Sequence, residues 1–135
     1  MRPLPDNLLR WMTPEDRAPL GKAGCTSSEL QAEIDRKGEL ALQRQIYQYL
    51  LLKESEGELV FCYQNPTKRA TGRVGTPDFI IGYRGRFIAV ECKVAGGKCT
   101  EEQASFLEFA KKAGCISRVV STLSELLDIL RGVSW

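Results

Sequence analysis

Between Gly75 and Gly97 the chain reads GTPDFIIGYRGRFIAVECKVAGG, and three charged residues, Asp78, Glu91 and Lys93, interrupt what is otherwise a run of apolar strand formers. Glu91 and Lys93 are two apart, so they project from one face of a strand and Cys92 from the other. If the chain reverses in a two-residue turn at Arg84-Gly85, Tyr83 opposes Arg86 and Asp78 opposes Glu91. Facing residues of an antiparallel pair have Cβ atoms about 4.5–5.5 Å apart, close enough for both carboxylates to reach one cation. A three-residue turn would shift the register by one and set Asp78 against Cys92 instead. Two like charges this close are costly unless they share a proton or a metal. Oxygen ligands favour Mg²⁺ or Mn²⁺, the ions that partner phosphates. A lysine beside them can orient a water and steady the charge that develops on a phosphate under attack. The plainer reading is a sheet edge with facing acids and a lysine salt bridge.

Composition narrows the chemistry further. There is no histidine, which excludes Ser-His and Cys-His nucleophiles and His-containing zinc sites. Hydrolysis by this chain must rest on carboxylates, lysine and a hard metal ion. The five cysteines, Cys25, Cys62, Cys92, Cys99 and Cys115, are odd in number and form no CxxC pair, so they read as reduced thiols, mostly buried. The 135 residues suit one domain. No apolar run approaches the roughly 20 residues of a membrane span, and the N-terminus lacks the apolar core of a secretory signal. A soluble, cytoplasmic protein is expected.

Charge is unevenly placed. From Pro66 to Lys98 there are seven basic residues, Lys68, Arg69, Arg73, Arg84, Arg86, Lys93 and Lys98, against Asp78 and Glu91. That segment carries a net +5, and the rest of the chain −3, within an overall +2. A basic segment around two carboxylates suits a polyanion held by its phosphates while a metal is bound. A merely solvated loop rich in Lys and Arg accounts for the charge equally well.

The elements that must position these residues follow from periodicity and punctuation. Residues 1–27 contain four prolines and two glycines and read as an irregular arm, with Leu8, Leu9 and Trp11 able to pin it to the domain or to a second subunit. Residues 28–132 form the domain. TSSE at Thr26 offers a capping box for a helix that runs to about Lys53, with a break at Gly38. Leu42, Ile46, Tyr49, Leu50 and Lys53 make its half-buried face. Glu39 lies one turn before Leu42, and Gln43 one turn after Glu39; an acid at a helix start is commonly a dipole or capping partner. A strand at Leu59–Tyr63, the polar loop QNPTKRATGRVG and the hairpin follow. Thr100 and Gln103 form a capping box on a helix that stops at Gly114, Cys115–Val120 is a strand, and Thr122 and Glu125 cap a last helix. A strand reached through a helix after a hairpin most simply returns parallel to the hairpin's second strand. The fold class is α/β, a mixed sheet of about four strands flanked by helices.

Pro77-Asp78 followed thirteen residues on by Glu91-Cys92-Lys93 resembles the PD-(D/E)xK nuclease motif. GTPD, a short hairpin, an ExK strand, a glycine pair, and T-x-x-Q opening a helix that ends in AG resemble, more narrowly, the virus-type replication-repair nuclease (VRR-NUC) module. Glu39 and Gln43 match its E-x-x-x-Q, and the resemblance covers about Glu39 to Leu130. It implies a restriction-endonuclease-like core, αβββαβ, that hydrolyses phosphodiester bonds with Mg²⁺ or Mn²⁺. It also implies that Asp78, Glu91 and the backbone carbonyl of Cys92 are direct metal ligands and that Glu39 reaches the metal through water. Lys93 would be the catalytic lysine and Gln103 a polar group near the attacking water or phosphate. Without the resemblance, the capping box alone accounts for Gln103. Lys68, Arg69, Arg73 and Lys98 are the candidate DNA contacts. The segment KRATGRVG is shorter and more basic than in long-armed members of the family.

Stand-alone modules of this size resemble Holliday-junction resolvases that act as homodimers, since one compact subunit carries one centre and a junction needs two cuts. The expected function is therefore a metal-dependent, structure-selective DNA endonuclease acting on branched or junction DNA. A catalytically silent nucleic-acid binding module of the same fold is the alternative, although it would need none of Asp78, Glu91 and Lys93. A protein-interaction module with surface salt bridges is a third.

Overall fold

The hairpin closes through Arg84 and Gly85, whose φ of 50° and 75° are both left-handed, as a two-residue turn matched to strand twist requires. In this computed structural model the described residues are 5, 27–64, 74–94 and 96–135, with side chains in the first helix from position 37 onward. Strands β2 (Phe79–Tyr83) and β3 (Arg86–Cys92) pair antiparallel with Tyr83 opposite Arg86 and Phe79 opposite Val90. This is the register that sets Asp78 against Glu91. Strand β1 (Val60–Tyr63) pairs antiparallel with β2, and β4 (Ile116–Val120) parallel with β3, giving the order β1-β2-β3-β4. The fold is α/β, a four-stranded mixed sheet flanked by three helices: α1 (Ser27–Ser55), α2 (Glu101–Lys112) and α3 (Leu123–Arg131).

Strand alternation divides the sheet into two unlike faces. Phe61, Phe79, Ile81, Ile88, Val90, Cys92 and Val120 turn to one face and are buried with Leu42, Ile46, Tyr47 and Leu50 of α1 and Leu126 and Leu130 of α3. Ala89, Glu91 and Ser117 take the other face, where α2 lies; the Ser117 hydroxyl donates to the Leu107 carbonyl at 2.9 Å. Thr100 and Gln103 form the expected capping box on α2. The helix ends as Gly114 (φ 88°) and Cys115 donate to Lys111 and Ala110 carbonyls, the paired bonds of a Schellman stop.

Three expectations from sequence need correction. The buried stripe of α1 is Leu42, Gln43, Ile46, Tyr47, Leu50 and Leu51, with Tyr49 and Lys53 at its margin. Tyr47 enters the core because Phe61, Tyr63 and Phe79 offer it a cluster of rings, two of them edge-on at 5.2 and 5.4 Å. Of the described cysteines only Cys92 is buried; Cys62 alternates with Phe61 and Tyr63, which claim the core side. Nor does the first helix break at Gly38. It runs unbroken, and a Cβ on Gly38 would sit 3.0 Å from Val94 Cγ1, so the glycine serves close approach of α1 to the end of β3. Gly38→Ala should therefore forfeit to this clash the roughly 1 kcal/mol that alanine gains inside a helix. Denaturant melts of Gly38→Ala, Val94→Ala and the double variant should give a coupling of about 0.5–1 kcal/mol, and additivity would remove the close-approach explanation.

The capping box at Thr26, the arm with Leu8, Leu9 and Trp11, and Lys68, Arg69 and Arg73 lie outside the described residues. No helix among the described residues is long and apolar enough to cross a membrane.

Candidate metal centre

Asp78 lies one residue before β2 and Lys93 one residue after β3, so the site forms where the two strands end. The Asp78 carboxylate accepts the Cys92 backbone N–H at 2.9 Å, and the Asp78 carbonyl accepts the Gln64 N–H at 2.8 Å. Both bonds hold the residue in line with the ladder beyond the last strand pairs. Glu91 is 1% exposed. Glu39 arrives from α1, and one oxygen from each of Glu39, Asp78 and Glu91 lies within 4.8 Å of the others. Lys93 Nζ stands 3.9 Å from Glu39 Oε1 and 3.8 Å from Glu91 Oε1, beyond hydrogen-bond distance.

These charges do not balance. Three carboxylates and one ammonium leave a formal −2, and carboxylates about 4.8 Å apart repel by roughly 3–4 kcal/mol per pair at an effective dielectric near 20. Without a cation the cluster relieves this by holding protons. Burial first, and then the Asp78 charge, push the Glu91 carboxyl up to about 9. Burial also raises Asp78, against the lowering effect of the Cys92 amide, and raises Glu39 against Lys93. No donor reaches the buried Glu91 Oε2, so the Glu91 carboxyl is satisfied only by a proton shared with Asp78 or by a cation.

Gln103 serves two purposes at once. Its Oε1 accepts the Thr100 N–H at 2.9 Å as the return half of the capping box, while its Nε2 donates to Glu91 Oε1 at 3.1 Å. The cap fixes which end of the amide faces Glu91, so capping and site geometry are one arrangement. Gln43 is buried, and its Oε1 accepts the Tyr63 hydroxyl at 2.6 Å, tying α1 to β1 one turn below Glu39.

No protein-family model, curated protein or solved structure matches this chain.

Glu39, Asp78, Glu91, Lys93 and Gln103, dispersed over 65 residues of sequence, meet at one point. Cys92 sits between Glu91 and Lys93 with its amide committed to Asp78 and its thiol in the core, where burial pushes its pKa well up. Lys98 is exposed in the loop before α2. An all-oxygen donor set, a formal −2 and an orphaned buried carboxylate oxygen fit a divalent cation such as Mg²⁺ or Mn²⁺.

Three contributors carry no signal as single residues in the sequence. Tyr63 shows only as a strand aromatic, and its bond to Gln43 appears once α1 and β1 are packed. Gly97 lies against Lys93, where an added Cβ would be 3.5 Å from Lys93 Cβ. Gly75, whose φ is 84°, is pressed so closely on α2 that an added Cβ would be 2.4 Å from the Glu102 carbonyl oxygen.

Proposed function

We propose that the protein is a Mg²⁺- or Mn²⁺-dependent DNA endonuclease that hydrolyses phosphodiester bonds, with a preference for branched DNA such as Holliday junctions. The observation that carries this reading is a three-carboxylate cluster that one ammonium does not neutralise, with a buried Glu91 oxygen that no donor reaches. Asp78, Glu91 and the Cys92 backbone carbonyl would hold the ion directly, and Glu39 would hold it through water. A divalent ion there supplies Lewis-acid polarisation of a phosphoryl oxygen. The Cys92 amide keeps Asp78 aimed at the site, and the capped Gln103 amide keeps Glu91 from rotating. Lys93 makes no hydrogen bond to either acid, so its donors can turn to the attacking water and to charge developing on the phosphate. The preference for junctions and the homodimer that paired cuts require rest on the resemblance to the VRR-NUC module. A silent binding module would gain nothing from a carboxylate cluster this costly to maintain.

Cleavage of a panel of junction, flap and duplex DNA with Mg²⁺ or Mn²⁺ tests the proposal. Asp78→Ala should lose both cleavage and Mn²⁺ binding by isothermal titration. Lys93→Met should keep Mn²⁺ binding and lose cleavage by about 10²-fold or more, the scale of a positioned proton-transfer group. Undiminished cleavage by either variant would sink the assigned roles.

A further inference from the structure

On the α2 side of the sheet, a groove of about 860 Å³ runs between α2 and the edge strand β4. Cys99, just before α2, and Cys115, just after it, both line the groove, so it follows the helix for about 18 Å. Its apolar lining is Ala104 and Leu107 of α2 and Val119 of β4, and its rim carries Arg86, Lys111 and Arg118 against a single acid, Glu108. Arg86 Nη2 donates to the Gly114 carbonyl at 3.3 Å and Arg118 Nη1 to the Ser117 carbonyl at 2.9 Å. Among the described residues none of the three cations has a carboxylate partner. Each guanidinium is thus held in place by a neutral carbonyl with its charge uncompensated, which lowers the ordering cost of meeting an anion.

One end of the groove lies beside the carboxylate cluster. Val119 is the ladder partner of Glu91 on β3, and Ala104 in the groove wall follows Gln103, which bonds Glu91. The Cys99 thiol is pushed up by burial and next by the Glu91 charge, in keeping with that adjacency.

We propose that this groove holds a single strand of DNA leading to or from the carboxylate centre. Its phosphates would lie on Arg86, Lys111 and Arg118, and its unpaired bases on Ala104, Leu107 and Val119. Resting on the nuclease reading for what lies at its end, the inference names the part of a branched substrate that the protein grips. The apolar floor favours a single strand, because a duplex presents only phosphates and sugars to a recess while unstacked bases have apolar faces to bury.

The groove's own cysteines report its occupancy. In metal-free buffer, an oligo-dT of about twelve nucleotides, within the range one strand-binding site spans, should slow maleimide labelling of Cys99 and Cys115. Labelling of Cys62 on β1 should be unchanged, each thiol being followed by peptide mass spectrometry. Lys111→Gln/Arg118→Gln should weaken oligo-dT binding and lower the slope of log K against log salt by about 1.4, at roughly 0.7 per lost phosphate contact on a single strand. Lys53→Gln, which removes a charge paired with Glu56 and Glu58, should leave that slope alone. Unslowed labelling of Cys99 and Cys115, an unchanged slope in the double variant, or equal protection by a duplex would each overturn the proposal. Protection without cleavage under Mn²⁺ would leave the groove standing and remove the nuclease reading, and cleavage without protection would do the reverse.

Discussion

Replacing Glu91 by glutamine is expected to make the metal-free protein more stable while abolishing Mn²⁺ binding and DNA cleavage. The Glu91 carboxyl is raised from 4.5 to about 9 in the fold, so between these values the folded protein keeps a proton that the unfolded chain has released. Stability therefore falls as pH rises from about 5 towards 9. At pH 7 the penalty relative to acid is on the order of 3 kcal/mol. Glutamine does not titrate, it fills the same volume, and its Oε1 can still accept from Gln103 Nε2. Lys93 loses one of its two acidic neighbours, so a net gain of about 1–3 kcal/mol is expected, equivalent to several degrees in Tm.

Thermal melts across pH 5–9 give the sign: the wild-type midpoint should drop relative to Glu91→Gln as pH rises. Mn²⁺ should lift the wild-type midpoint at neutral pH, since a ligand that binds only the folded state stabilises it by mass action, and should leave the variant unmoved. Parallel pH profiles for the two proteins would mean that Glu91 is already satisfied without a cation, and the metal centre would lose its main physical support.

The sequence carried the hairpin and the helices but not the approach of α1 to the hairpin. Asp78 opposite Glu91 was legible because a two-residue turn at Arg84-Gly85 and the alternation of FIIGY with RFIAVEC admit a consistent register, and register is all that this pairing needs. Glu39 was legible only through a family resemblance: its approach depends on the path of α1 past Val94, which periodicity does not encode. The break expected at Gly38 illustrates the gap, since a helix interior shows a glycine either for a break or for a close neighbour, and only packing distinguishes them. Gln103 was ambiguous for another reason. The capping pattern satisfied its side chain completely on paper, but an amide has an oxygen and a nitrogen, and the cap uses only the oxygen.

Gly75→Ala is expected to be the most damaging single change outside the carboxylates. Two separate penalties meet there. A φ of 84° strains any residue with a Cβ, at about 1 kcal/mol. The new methyl would also lie 2.4 Å from the carbonyl oxygen of Glu102 and 2.5 Å from its carbon. That contact is with helix backbone rather than a side chain that can swing aside, and overpacking of this kind costs about 1–3 kcal/mol more. Gly57→Ala separates the two effects, because Gly57 has a similar φ of 77° with nothing within 4 Å of an added Cβ. Gly57→Ala should lose about 1 kcal/mol and keep full activity. Gly75→Ala should lose about 2–4 kcal/mol in denaturant melts, as the sum of both penalties. It should also weaken Mn²⁺ binding, because relief of the clash moves the first turn of α2, which carries Gln103, away from the segment that delivers Asp78. Equal losses at the two glycines would assign the whole cost to backbone strain. Unequal losses with Mn²⁺ affinity intact would show that Asp78 holds its position without α2, and the packing of GTPD on the helix would then be a matter of stability alone.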